Sequence, residues 1–197
     1  MTSNPVAHAV TYEEYLAREA SSGTKLEYLR GEVLDMSGGT PEHGAIAMAL
    51  GAALTLAIAG RPCRVFSSDV KVRVDATDLS AFPDLSVVCG SLLTSPRDAN
   101  AIVNPVLLIE VLSPTSEAYD RGAKFGHYRR LESLKEMVFV NHESQRVEVY
   151  RRNETGRFEL YVFEADEVVE LTSVNARIPV AKIYENPLSA STPPAPA

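Results

Sequence analysis

The chain has 197 residues, of which 45% are hydrophobic and 23% charged, and its formal net charge is −7. That length suits one medium-sized domain with a core large enough to hold itself together, and the balance excludes a disordered or fibrous chain. The negative charge speaks against a broad basic face for phosphates, although the field inside a cleft can differ from that of the whole.

The opening residues MTSNPVAHAV have neither a basic region nor an apolar run of signal-peptide length. Thr11 and Glu14 have capping-box spacing, opening a short helix over Tyr12 to Glu19. Lys25 to Met36 reads as two short strands about a turn at Arg30 and Gly31. His43 to Ala59 reads as an Ala-rich helix ended by Gly60 and Pro62, and Gly44 to Gly60 carries no charge. That stretch is too short and too rich in Ala and Gly for a membrane span, so a buried core helix is expected.

Arg64 to Val74 alternates, with Val70, Val72 and Val74 on one side and Asp69, Lys71 and Arg73 on the other, the pattern of one half-buried strand. Leu85 to Cys89 and Val106 to Leu112 are further strands. A helix from about Ser116 to Leu131 follows Pro114. Met137 to Asn141, Arg146 to Arg151 and Phe158 to Phe163 complete the strands. This order predicts an α/β fold, a mixed sheet flanked by helices within a single domain over residues 1–187. A disordered Pro/Ala-rich tail is expected over 188–197, where SASTPPAPA is of low complexity. The two cysteines, Cys63 and Cys89, lack metal-ligand spacing and argue against a disulfide framework, which suits a reducing cytoplasm.

Glu110 is the most informative position. Its neighbours in VLLIEVL are all apolar, so the strand should be covered on both faces. An ionised carboxylate there costs several kcal/mol unless it is paired or metal-bound. The plainer alternative is a glutamate at an open strand end, or one bridged to an arginine. Asp84, after Pro83, opens the strand LSVV, and on its own Pro-Asp is a common turn dipeptide. A short loop joining adjacent strands would bring Asp84 and Glu110 to one sheet edge, where two carboxylates need a cation between them. Hard oxygen ligands suit Mg²⁺ or Mn²⁺ with water completing the shell. On the following helix Asp120, Lys124 and Tyr128 share a stripe. Lys124 is either half of a surface ion pair with Asp120 or a lysine that steadies an attacking water and phosphoryl charge. Lys71, on the exposed side of its strand, is the competing lysine.

Other chemistry has less support. Ser113 or Ser116 with His127 lacks a nucleophile elbow. No phosphate-binding glycine loop is present. Tyr119 and Tyr128 read as core or boundary residues rather than base-stacking ones.

Pro83-Asp84 followed by LIEVLSPTSEAYDRGAKFGHYRRL, from Leu108 to Leu131, resembles the PD-(D/E)XK nuclease superfamily, and more narrowly the Uma-type restriction-endonuclease-like proteins. Glu27 with Gly31 and Glu32, His43 at the head of the long helix, and the strands MVFVN and RVEVY are further marks. The resemblance covers roughly Tyr12 to Leu171, and EVLSP followed by DRGAK is its most specific part. It implies a restriction-endonuclease-like fold and Mg²⁺-dependent hydrolysis of DNA phosphodiesters, with Asp84 and Glu110 as metal ligands. The superfamily lysine two residues after the glutamate is here Leu112. The resemblance therefore assigns that role to Lys124, and to Glu27 a second-metal or water-positioning one. Asn141 departs from the Asp of similar sequences and is expected to serve a turn. A homodimer would match cutting of both strands. The competing reading is a catalytically idle chain that keeps the fold as a binding or assembly module.

Overall fold

The computed structural model describes residues 9–36 and 39–185, so the expected tail lies outside the described residues. Helix α1 (Tyr12–Ser22) leads into β1 (Leu26–Leu29), β2 (Glu32–Asp35), α2 (Pro41–Ala57), β3 (Cys63–Ser67), β4 (Lys71–Val74) and β5 (Leu79–Ala81). Then come β6 (Leu85–Cys89), β7 (Thr94–Ser95), β8 (Asp98–Ile102) and β9 (Leu107–Leu112). A helical crossover contains α3 (Glu117–Tyr119), a π turn over Asp120–Lys124 and α4 (Phe125–Tyr128). The chain continues through β10 (Glu136–Asn141), β11 (Arg146–Arg152), β12 (Phe158–Glu164), β13 (Val168–Leu171), β14 (Ala176–Pro179) and α5 (Val180–Ile183).

The central sheet has the order β12-β11-β10-β9-β6-β3, and within it only β9 and β10 run parallel. A parallel pair cannot be joined by a tight hairpin, so a crossover must span one face of the sheet. That crossover carries Asp120, Lys124 and Tyr128. A second sheet, β2-β1-β5-β4-β8-β7, packs on the same side, and β13 and β14 form a separate hairpin.

Side chains alternate along β9. Leu107, Ile109 and Val111 join Ile46, Leu50 and Leu54 of α2 and Val180 and Ile183 of α5 in one core. Leu108 and Leu112 join Tyr128, Phe139, Val72 and Leu79 in the other. Glu110 therefore faces the second core, beneath the crossover and the second sheet.

Several local expectations hold. The Thr11–Glu14 capping box is formed and α1 ends at Gly23 with φ 69°. The turn between β1 and β2 uses Arg30 at φ 48° and Gly31 at φ 92°. A Cβ on Gly31 would lie 2.7 Å from that of Ala9, so only glycine fits. Asn141 does serve a turn, its Oδ1 accepting from the backbone N–H groups of Glu143 and Ser144.

Others are corrected. Arg64 to Val74 is two strands in different sheets, broken where Val70 N–H donates to the Ser67 carbonyl. Alternation ran through the break and hid it. Lys71 and Arg73 are consequently buried, 6% and 1% exposed, instead of facing solvent. Arg73 pairs with Asp75 and Asp78 over the ring of Tyr12. The link from Asp84 to Glu110 is no short loop, because β7 and β8 leave to join the second sheet before β9 returns. Helix α2 is buried on one side only, with Met48 and Leu56 73% and 77% exposed, and no helix of the described residues is long and apolar enough to cross a membrane. The crossover is a broken helical segment that ends at Tyr128, short of Leu131.

Cys63 and Cys89 are bonded to each other, correcting the expectation that argued against a disulfide. They are directly opposed across β3 and β6, a juxtaposition set by strand register that their spacing in the chain does not reveal. Closing this loop restricts the unfolded chain. Cys63→Ser is expected to lower the unfolding free energy by about 2–4 kcal/mol without reductant, and the gap to the parent protein should close in excess reductant. Identical urea midpoints under oxidising conditions would show that the bond adds no stability.

Candidate functional site

The residues from Phe82 to Asp84 tie the two sheets together. The backbone N–H of Phe82 donates to Glu27 Oε1 of β1 at 3.1 Å. Pro83 has no N–H to contribute to a ladder, so the chain can pass from β5 to β6 there. Leu85 pairs with Ile109, which sets Asp84 across from Glu110. Asp84 Oδ2 accepts the backbone N–H of Val111 at 2.7 Å and lies 3.1 Å from His43 Nε2. His43 stands in the first turn of α2, capped by Thr40. The hydrogen bond to Asp84 raises the imidazole pKa, burial opposes it, and the charge of Asp84 and a hydrogen bond to the Val111 backbone add to the rise.

The π turn carries the other half of the site. Its wide backbone ring brings Asp120 and Lys124 to the sheet side, where both are buried. Such turns inside helices recur at functional sites. Lys124 Nζ lies 3.0 Å from Glu110 Oε1, 3.1 Å from Glu27 Oε1 and 3.7 Å from Asp120 Oδ1. The Tyr128 hydroxyl donates to Glu110 Oε1 at 3.4 Å.

The arrangement carries more negative than positive charge. Glu27, Asp84, Glu110 and Asp120 share one ammonium and one imidazole. Burial pushes the Glu110 carboxyl well above the ordinary glutamate range; Lys124 offsets this in part, while Asp84 and Asp120 add to it. Asp120 is raised as well, by burial first and with Lys124 opposing. For Lys124 burial alone would lower the pKa, but Glu110, Tyr128, Glu27 and Asp120 outweigh it and the ammonium stays charged.

Glu136, on the neighbouring strand, shows what a structural buried glutamate looks like in this fold. Its two oxygens accept from Arg151 at 2.7 Å and from the backbone and hydroxyls of Thr172 and Ser173. Every lone pair has a use there. By contrast, Asp84 Oδ1 and Glu110 Oε2 have no hydrogen-bond partner among the described residues, since the bonds of each carboxylate fall on its other oxygen.

Two carboxylates with an unused oxygen each, in a buried surplus of negative charge, fit a hard divalent cation. No cluster of three or more His, Cys, Asp or Glu side chains arranged to hold a metal occurs among the described residues. The protein would thus supply few ligands and water the rest, as is common for Mg²⁺.

The structure brings Glu27, Asp84, Glu110 and Lys124 together. It corrects the surface-pair reading of Lys124, which is only 4% exposed. Lys71 belongs elsewhere, 2.6 Å from both Glu19 and Asp98 and over the ring of Tyr15. Ser113 and Ser116 bond to each other at 2.9 Å and not to His127. Sequence reasoning gave no role to His43 and set Asp120 at the surface. The stripe of Asp120, Lys124 and Tyr128 was the available signal, but spacing does not report burial. Two surface clefts, of about 450 Å³ beside the disulfide and about 310 Å³ against α2, are lined by none of these residues.

The fold is restriction-endonuclease-like, a mixed sheet flanked by helices. A crystal structure titled as a putative nuclease belonging to DUF820 from Anabaena variabilis superposes with a TM-score of 0.73 at 22% identity, covering 89% of this chain and 98% of that one. Residues 12–181 match Uma2, described as "Putative restriction endonuclease", and the chain belongs to this family, which is of nuclease type. Two uncharacterized proteins of Synechocystis sp. are similar over most of their length. One, slr1290, is 34% identical over 175 residues, covering 87% of this chain and 90% of its own. The other, sll1609, is 30% identical over 143 residues, covering 73% and 81%.

A glutamate with a raised folded-state pKa favours its protonated form in the fold, and glutamine imitates that form. Its burial thus weakens the fold at pH above the unfolded value and ceases to do so in acid. Glu110→Gln is expected to raise the melting temperature at neutral pH in EDTA by about 2–4 °C, the shift that roughly 1 kcal/mol gives at this size. A lower melting temperature would mean that the ionised Glu110 is a net stabiliser.

Proposed function

We propose that this protein is a DNA endonuclease that hydrolyses phosphodiester bonds with Mg²⁺ or Mn²⁺ held by Asp84 and Glu110. The observation that supports this best is the unused oxygen on each of these carboxylates within a buried excess of negative charge. Bound there, a divalent cation would polarise a phosphoryl oxygen and lower the pKa of a coordinated water.

The chain's own groups have the remaining tasks. Val111 N–H and His43 fix one oxygen of Asp84, leaving the other aimed by that constraint. Tyr128 and Lys124 do the same for Glu110. The Lys124 ammonium stabilises the attacking oxygen and the charge that develops on the phosphoryl group. Glu27 holds this ammonium from the opposite sheet. The attacking water gives up a proton to solvent, and the leaving 3′-oxygen takes one from it. A homodimer would present two such centres to the two strands of a duplex.

The net charge of −7 favours a second reading, a binding or assembly module that keeps the fold without turnover. Plasmid nicking separates the two. The parent protein with Mg²⁺ or Mn²⁺ is expected to nick supercoiled DNA. Asp84→Ala and Glu110→Ala should fall to background, and Lys124→Ala should lose about 10²–10³-fold in rate. No nicking by the parent on any DNA tried, together with no metal uptake, would leave the module reading standing.

A further inference from the structure

Lys124 carries an ammonium shared by three buried carboxylates. Its ammonium, almost wholly buried, lies 3.0–3.7 Å from oxygens of Glu110, Glu27 and Asp120, which come from three different elements. The positive charge that these three carboxylates share in this buried setting is thus a covalent part of the chain. The hydroxyl of Tyr119 is buried beside it with no hydrogen-bond partner among the described residues, and Glu27, Lys124, Asp120 and Glu110 all act on it. Glu27 Oε1 is doubly engaged, by Lys124 and by the Phe82 N–H. Glu27 thus serves the ammonium and the Pro83-Asp84 turn.

We propose that Lys124 is the resident second cation of this centre. Its ammonium fills the place beside Glu110 that a second divalent ion would need, so that the protein binds one divalent ion and binds it weakly. This inference rests on the metal-dependent reading above and goes beyond it by setting the ion count and the residue that governs affinity. Two consequences follow from electrostatics. The positive charge shares Glu110 with the incoming ion and repels it, so removing that charge must strengthen metal binding even as it removes a catalytic group. Glu27, whose engaged oxygen serves the ammonium, is not a ligand of the divalent ion and can be neutralised without changing how many ions bind.

The test is Mn²⁺ titration of the full chain, following free Mn²⁺ by electron paramagnetic resonance and heat by calorimetry, without DNA. One ion is expected for the parent protein. Lys124→Gln should bind Mn²⁺ at least tenfold more tightly, and Glu27→Gln should still bind one ion. Lys124→Met, an unbranched side chain of similar length, replaces Lys124→Gln if circular dichroism shows that variant unfolded, and carries the same expectation. Two ions in the parent, or unchanged or weaker affinity in a folded Lys124 variant, would overturn the inference while leaving the metal-dependent reading intact. No Mn²⁺ uptake by the parent at millimolar metal would overturn both.

Discussion

A carboxylate in the middle of a fully covered strand, Glu110 on β9, constrains much of the surrounding architecture. Its effective desolvation penalty is several kcal/mol, and an opposite charge has to offset it. The compensating ammonium must arrive from outside the sheet, because β9 has strands on both sides and apolar side chains along its own face. It arrives from the crossover that the parallel β9–β10 pair makes obligatory. The π turn within that crossover carries Lys124 and Asp120 on its sheet side. Glu27 then reaches the same ammonium from β1, which belongs to the other sheet. One buried cation therefore joins the central sheet, the crossover and the second sheet. Loss of Lys124 without a replacement of similar bulk would leave three carboxylates facing one another.

Glu136 and Glu110 lie on adjacent strands and both are buried, yet they answer to different requirements. Glu136 is saturated by Arg151, Thr172 and Ser173, and its burial is complete in the protein alone. Glu110 has only a distant tyrosine hydroxyl and an ammonium that it shares with Glu27 and Asp120. An arrangement that is under-satisfied at one carboxylate and fully satisfied at its neighbour is not a general looseness of the fold. It is local, and it coincides with Asp84, whose own second oxygen is likewise without a partner among the described residues. Such local frustration is characteristic of sites whose missing contacts come from outside the chain.

The parts of this fold that were legible in the sequence are those governed by neighbours along the chain. The Thr11–Glu14 cap, the Arg30-Gly31 turn and the continuous apolar run of β9 each follow from a few adjacent side chains. So does the oddity of Glu110, since one charged residue among six apolar ones needs no partner to be noticed. What escaped depends on contacts between distant segments. The alternation from Arg64 to Val74 could not disclose that β3 and β4 enter different sheets, nor that Tyr12, Tyr15 and Tyr28 wall in Lys71 and Arg73. The cysteine pair was hidden for the same reason, because its bond follows from the register of β3 on β6. In the site, Asp120 and His43 were visible as residues but not as neighbours of Glu110 and Asp84. Their positions depend on the π turn and on the angle at which α2 approaches the sheet.

The acidity of the chain bears on the proposed chemistry through where its cations stand. Arg73, Arg121, Arg146 and Arg151 are each engaged by carboxylates, and Arg61 and Arg152 by backbone carbonyls, so their charge is largely committed to holding the fold. Arg129 and Arg130, just beyond α4, are exposed and have no ion pair among the described residues. A nucleic acid meeting this surface would release few counterions, and little affinity could come from backbone phosphates spread along a duplex. Recognition would then depend on the immediate surroundings of the cleaved bond, where Lys124 and a divalent ion on Asp84 and Glu110 would offset most of the negative charge of the site. On the proposed reading, the general acidity and the phosphodiester chemistry are compatible, because the attraction for phosphate is confined to the one place where charge develops during the reaction.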